Sequence, residues 1–195
     1  MKRTLAAFIM IFVFGMSISY SQVAIGEKAP DFKLKNVDGK MVSLSDYKNE
    51  KGVILIFNCN HCPYAKLYEQ RIIELHRHYK HQKFPVISIN PNDSAVYQED
   101  GFSFMVAKDY EFPYLLDNVG VYKKYGATKT PHVYLLKNEG NHFKVAYIGA
   151  IDDNPQNPNE VKEKYLEMAI ASLKNKQKPD PSVTKAIGCS IKPFR

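Results

Sequence analysis

The stretch GVILIFNCNHCPY, residues 52–64, decides how the rest of the chain is read. Gly52 to Asn58 is a continuous apolar run of strand length, the pattern of a central strand covered on both faces. Cys59 and Cys62 follow with two residues between them, and Pro63 comes next. Proline at the first position of a helix costs nothing, since the N–H it lacks would have no partner there. From Pro63 to about His81, Tyr64, Tyr68, Ile72, Leu75 and Tyr79 recur at spacings of four, four, three and four and make one apolar face. The spacing predicts a strand, then a cysteine pair, then a helix.

Working outward, residues 24–47 read as two short strands around an Asp38-Gly39 turn, with Ser45 placed to cap a brief helical turn. Downstream, Phe84 to Asn90 is a further strand and NPNDS a loop. A second helix is expected over Gly101 to Asp109, a short strand in FPYLLD and a short helix in VGVYKKYGA. His132–Asn138 and His142–Gly149 form a hairpin over NEGN. After the loop IDDNPQNPN, Asn159 is placed to cap a final helix to about Lys174, with Val161, Tyr165, Leu166, Ala169 and Leu173 inward. Alternating strands and helices followed by a hairpin and a helix imply a three-layer α/β sandwich with a mixed sheet.

At 195 residues the chain suits one domain with a full core. Residues 1–21 stand apart as a secretory signal peptide: Lys2 and Arg3, an apolar run from Leu5 to Met16, then Ser19 and Ser21 ahead of a cut before Gln22. That run of about a dozen residues is short for a membrane span, so no stable membrane insertion is expected after cleavage. The expected division is leader 1–21, domain 22–178 and tail 179–195. Loss of Lys2 and Arg3 takes the formal charge from +7 to +5. The remaining charge is dispersed, with no basic stripe interleaved with aromatics, which argues against nucleic acid as a partner. Export to a periplasmic or extracellular space implies an oxidising compartment. Three cysteines, Cys59, Cys62 and Cys189, leave one thiol over, or one that exchanges with the other two.

A structural zinc site wants four ligands, and only one cysteine pair is present; His76, His78 and His81 give no ligand face beside Cys59. No metal and no cofactor are expected. A dithiol fits the setting better. Helix N–H groups and the helix dipole favour a negative charge at Cys59. A thiol so placed can fall from about 8.5 into the ~3.5–7.5 range and attack a disulfide, with Cys62 set to resolve the mixed disulfide.

APDF (29–32), FNCNHCPY (57–64) and FPYLLDNVGVYKKYGATKTPHVYLL (112–136) resemble the thioredoxin-like superfamily, in the branch that groups exported TlpA/ResA-like proteins with the AhpC/TSA redoxins. The tail segment IGCSIK (187–192) resembles a subgroup with CNHCPY and a similar GCxIK end. The resemblance implies a thioredoxin-like α/β/α sandwich and an exported thiol–disulfide oxidoreductase. It would act on protein disulfides or dithiols and exchange electrons with a donor or acceptor partner. The catalytic candidates are Cys59, Cys62 and His61. Thr130-Pro131 is implied to be a cis-proline facing the dithiol, and Thr130, Pro131, Asn58 and Pro63 are the substrate-binding candidates. Cys189 is the candidate third redox thiol, on a tail that can fold back as resolving segments do in some peroxiredoxins. Three departures stand out. Asn58 replaces the family's tryptophan, Val53 replaces its buried aspartate, and His61 precedes Cys62 as in DsbA-like oxidants. An imidazole there would stabilise a Cys59 thiolate. Two alternatives remain: an AhpC/TSA-type peroxidase with Cys62 as the peroxide-reacting thiol, and a copper carrier using soft thiolates.

Overall fold

A computed structural model of the chain describes residues 22–194, so the expected leader lies outside the described residues. Strand β3 (Gly52–Phe57) is buried at all six positions. Parallel β4 (Val86–Asn90) flanks it on one side and antiparallel β7 (His132–Asn138) on the other. The sheet runs on through β5 (Tyr114–Leu116) to the hairpin of β1 (Lys33–Asn36) and β2 (Met41–Ser43), and ends at the far side in β8 (Phe143–Gly149). The order is β2-β1-β5-β4-β3-β7-β8.

Successive residues of a strand point to opposite faces. Val53, Leu55 and Phe57 therefore enter a core with Phe32, Leu34, and Val121 and Tyr125 of α3 (Val121–Tyr125). Ile54 and Ile56 enter the opposite core. There they meet Tyr68, Ile72 and Leu75 of α1 (Pro63–Tyr79) and Leu166, Ala169 and Ile170 of α4 (Tyr165–Lys174). These are the three expected layers, with a mixed central sheet. Arg71 of α1 braces the loop before α4, donating to Asp152 Oδ2 (2.6 Å) and the Asn154 carbonyl (2.9 Å).

The brief turn after β2 covers Leu44–Tyr47 with Ser43, not Ser45, at its N-cap, because the chain turns earlier than expected. Two α-helices also differ from expectation. The second, α2, is confined to Phe102–Val106, and Asp109 takes a left-handed backbone with φ 48° just beyond it. The last helix begins at Tyr165, not after Asn159. The capping side chain is Asn157, which accepts the Asn159 N–H at 3.0 Å on a single tight turn. Val161 then returns to extended backbone (φ −63°, ψ 123°), which breaks the continuity that the apolar spacing suggested. The tail, without periodicity in sequence, adds β9 (Cys189–Ser190), paired antiparallel with β6 (Lys129–Thr130). The Thr130–Pro131 peptide bond is cis.

Two histidines are built into this frame as neutral acceptors. His132 Nδ1 accepts the Thr128 N–H at 3.3 Å, and His76 Nδ1 accepts the Val86 N–H at 3.4 Å. Burial pushes both down to about 4. Below pH ~6.5 the unfolded chain takes up protons that the folded one refuses until about pH 4. Stability should therefore fall as the pH is lowered through this window. His132→Asn, which keeps an acceptor but cannot be protonated there, should flatten the fall. Denaturant titrations at pH 7 and pH 5 measure it, and equal losses in both proteins would refute it.

Candidate thiol site

The loop after β3 is held at both ends. The Asn58 N–H donates to the Ile89 carbonyl (2.8 Å), and Cys62 stands at the N-terminus of α1 with extended backbone (φ −64°, ψ 126°). Cys59 and Cys62 are both buried, and Thr130 lies against both. The Thr130 hydroxyl is 3.1 Å from Cys59 Sγ, and its carbonyl oxygen is 3.3 Å from Cys62 Sγ.

The bridge in this structure joins Cys62 to Cys189, 127 residues apart, and Cys59 is a free thiol. The Cα–Cα distance of 6.0 Å falls in the usual disulfide range. Spacing alone drew attention to Cys59 and Cys62 as the partners. The tail changes this because β9 sets Cys189 opposite Thr130 in the β6 ladder. Noncovalent anchors hold the tail on both sides of Cys189. On one side, the Thr184 N–H donates to the Ile148 carbonyl (2.9 Å) and its Oγ1 accepts the Ala150 N–H (3.0 Å). On the other, the Ile191 N–H donates to the Thr128 carbonyl (3.2 Å) and the Lys192 N–H to Asn92 Oδ1 (2.8 Å). Gly188 is required by close approach: a Cβ there would overlap the Thr130 carbonyl.

Cys59 is buried and is not the acidic thiol that its place before a helix suggested. Burial pushes it up to about 11. The Asp100 carboxylate adds to the rise, while the Thr130 hydroxyl and the N–H groups of Cys62 and His61 pull the other way. Nor does His61 stand free beside the thiol. Its Nδ1 donates to Asp100 Oδ2 at 2.5 Å, and its ring stacks on Tyr97 with centroids 3.7 Å apart. Asn58 is buried, with Oδ1 unpartnered among the described residues, and Pro63 is exposed at the first position of α1. Thr130 and Pro131 are buried, and the strand edge that the resemblance assigned to a substrate is filled by β9.

Asp100 is the residue that sequence reasoning missed. It is fully buried, and its Oδ1 accepts the N–H groups of Asn60 (2.7 Å) and His61 (3.2 Å). Oδ2 also accepts Asn92 Nδ2 (2.9 Å). Nothing in NPNDSAVYQED ties it to a motif 38 residues upstream. The available signal was topological, since loops that follow adjacent parallel strands emerge at the same end of a sheet. Cys59, His61 and Asp100 place potential ligand atoms within 4.8 Å of one another. Both carboxylate oxygens are already engaged by donors, so the trio reads as a hydrogen-bonded network.

A three-layer fold of this topology, with cysteines at the N-terminus of its first long helix and a cis-proline strand against them, defines a thioredoxin-like redox protein. The chain belongs to the AhpC/TSA family, whose model matches residues 25–165. It is 28% identical over 149 residues to the thioredoxin-like protein YneN of Bacillus subtilis, covering 72% of this chain and 86% of that one. It is 30% identical over 124 residues to the thiol-disulfide oxidoreductase ResA of the same organism, covering 63% and 67%. A solved structure of an uncharacterized conserved protein from Geobacillus kaustophilus superposes with a TM-score of 0.80 at 32% identity, covering 89% of this chain and 94% of that one. Among the described residues no helix is long and apolar enough to cross a membrane.

Two outcomes are expected. With the Cys62–Cys189 bridge intact, Cys59 should alkylate slowly at neutral pH, with roughly a hundredfold less thiolate than an ordinary cysteine. Mass spectrometry after timed iodoacetamide treatment reads this, and rapid labelling at pH 7 would contradict the buried, raised thiol. Separately, Gly188→Val should push β9 off β6, so that the bridge opens at several-fold lower dithiothreitol. An unchanged gel-shift titration would show that strand pairing does not place Cys189.

Proposed function

We propose that the protein is an exported thiol–disulfide oxidoreductase whose working bridge is Cys62–Cys189, with Cys59 as an internal exchange partner. The observation that carries this is the bridge itself, joined at the N-terminus of α1 and bordered by a free thiol. Cys189 is only partly buried, so its sulfur is the one a partner thiolate reaches most directly. Attack there forms a mixed disulfide and breaks the Cys62–Cys189 bond. Cys62 leaves as a thiolate, which the N–H groups and dipole of α1 favour. A second partner thiol then attacks the partner's own sulfur and releases Cys189. The partner is oxidised to its disulfide, and two electrons remain on Cys62 and Cys189. Run backwards, the same steps reduce a substrate disulfide. Attack of Cys59 on Cys62 would instead give the Cys59–Cys62 bridge and a free Cys189, with no net change in oxidation. The named relative ResA supports the activity, and the leader over 1–21 supports export to an oxidising compartment.

Exchange with a model protein disulfide tests this. Cys62→Ser should abolish turnover, and Cys189→Ser should slow it at least about tenfold, because the working pair is broken. Cys59→Ser should keep the first exchange. Full activity in Cys62→Ser would overturn the proposal. Export predicts a secreted protein whose N-terminal residue is Gln22.

The pairing of Cys62 with a distant tail cysteine also favours a second reading, peroxide reduction. The Cys62 thiolate would attack hydrogen peroxide, release water and become a sulfenic acid, and Cys189 would condense with it to the observed bridge and a second water. Peroxide consumption that needs Cys62 and Cys189 but not Cys59 would establish it. Absence of consumption with a thiol donor present would remove it.

A further inference from the structure

The Asp100 network enters none of these steps directly, yet it touches each segment that takes part. A carboxylate removed from water must be compensated by hydrogen bonds or charge. Asp100 is compensated by the backbone of Asn60 and His61, by the His61 ring and by Asn92. Asn92 in turn accepts the Lys192 N–H three residues beyond Cys189, and Asp93 N–H donates to the Lys192 carbonyl (2.7 Å). Asn90 Nδ2 holds the Asp100 carbonyl (3.0 Å), and Asn60 is fixed from the far side by the Tyr114 hydroxyl (2.9 Å). The loop between the two cysteines and the tail that carries the third thus share one buried anion.

We propose that Asp100 is a positioning residue for the thiol chemistry: its carboxylate orients His61, fixes the turn between Cys59 and Cys62, holds the Cys189 tail through Asn92, and, lying within 4.8 Å of the Cys59 sulfur, opposes a second negative charge there. The last effect follows from Coulomb repulsion, since a second negative charge at Cys59 would face the first across a dry site. The other groups around Cys59 do not supply that charge. Tyr110 and Tyr114 are themselves pushed up, both first by burial, Tyr110 then by its hydrogen bond to Glu69 and Tyr114 then by charge at Cys59, and stay neutral. Glu69 is engaged by the Tyr110 hydroxyl and by Lys108. Cys62 and Cys189 are bridged. The Thr130 hydroxyl is a neutral neighbour, and the His61 ring donates towards Asp100. A quiet Cys59 leaves the Cys62–Cys189 bridge standing until an outside thiol opens it. This role rests on the oxidoreductase reading, but its test needs no substrate.

In the oxidised full chain Cys59 is the only free thiol, so its alkylation rate against pH is a clean readout. Asp100→Asn keeps most of the shape and removes the charge; the profile should move to lower pH, with about tenfold faster labelling at fixed pH. His61→Phe keeps the stack on Tyr97 and removes a donor from the carboxylate, so its charge faces Cys59 less compensated and the profile should move to higher pH. Opposite shifts support the proposal, and a merely structural role produces neither. An Asp100→Asn profile that coincides with wild type overturns it. If Asp100→Asn fails to fold, His61→Phe decides alone, and an unshifted profile or a shift to lower pH overturns it. Because protein-disulfide exchange is not measured, failure here leaves the oxidoreductase assignment standing.

Discussion

Complete burial of β3 on both faces is the constraint on which the remainder depends. Six consecutive buried residues require a neighbour strand on each side and a layer above and below. β4 and β7 supply the strands; α1, α4 and α3 supply the layers. Because β3 and β4 run parallel, the loops after Phe57 and Asn90 emerge together, one with Cys59 and Cys62, the other with Asn92 and Asp100. β7 runs the opposite way, so the residues before it, Thr130 and Pro131, arrive at that same end. The thiol site is where three chain directions must meet once the central strand is covered.

The strand–cysteine–helix order was legible in the sequence because each step has a local cause. VILIF is apolar without alternation, Pro63 cannot sit inside a helix but can open one, and the tyrosines and aliphatics of α1 keep helical spacing. The branch of proteins was legible from FNCNHCPY and the segment around Thr130-Pro131. What stayed hidden was nonlocal. No spacing rule links Asp100 to His61, which sit on loops after different strands; Cys189 was a candidate only through the resemblance, and its pairing with Cys62 depends on the register of β9 on β6. The last helix was misplaced at its start for a related reason: Val161 is apolar, but its backbone follows the path of the loop from Ala150 and not the helix pattern.

The same distinction explains why the expected properties of Cys59 reversed. A helix N-terminus pulls a thiol towards ionisation only where the thiol meets it in a polar or solvated place. Cys59 is dry and faces a carboxylate, and both effects act against the anion. The helix-terminal position belongs more directly to Cys62, which α1 begins beside. Missing the family's buried acid at Val53, the chain brings in an acid from elsewhere, and that acid holds backbone and imidazole.

The tail's double anchorage has a kinetic meaning. A thiol on a floppy segment would meet Cys62 at the effective concentration of a flexible tether, in the millimolar range. Cys189 is instead pinned between Thr184 on one side and Ile191 and Lys192 on the other, so much of the orientational entropy of its encounter with Cys62 is spent by the fold. Ring closure across 127 residues then behaves as a proximity reaction, in which an intruding small thiol must outcompete a neighbour that scarcely leaves. The protein is in this sense a partner to itself.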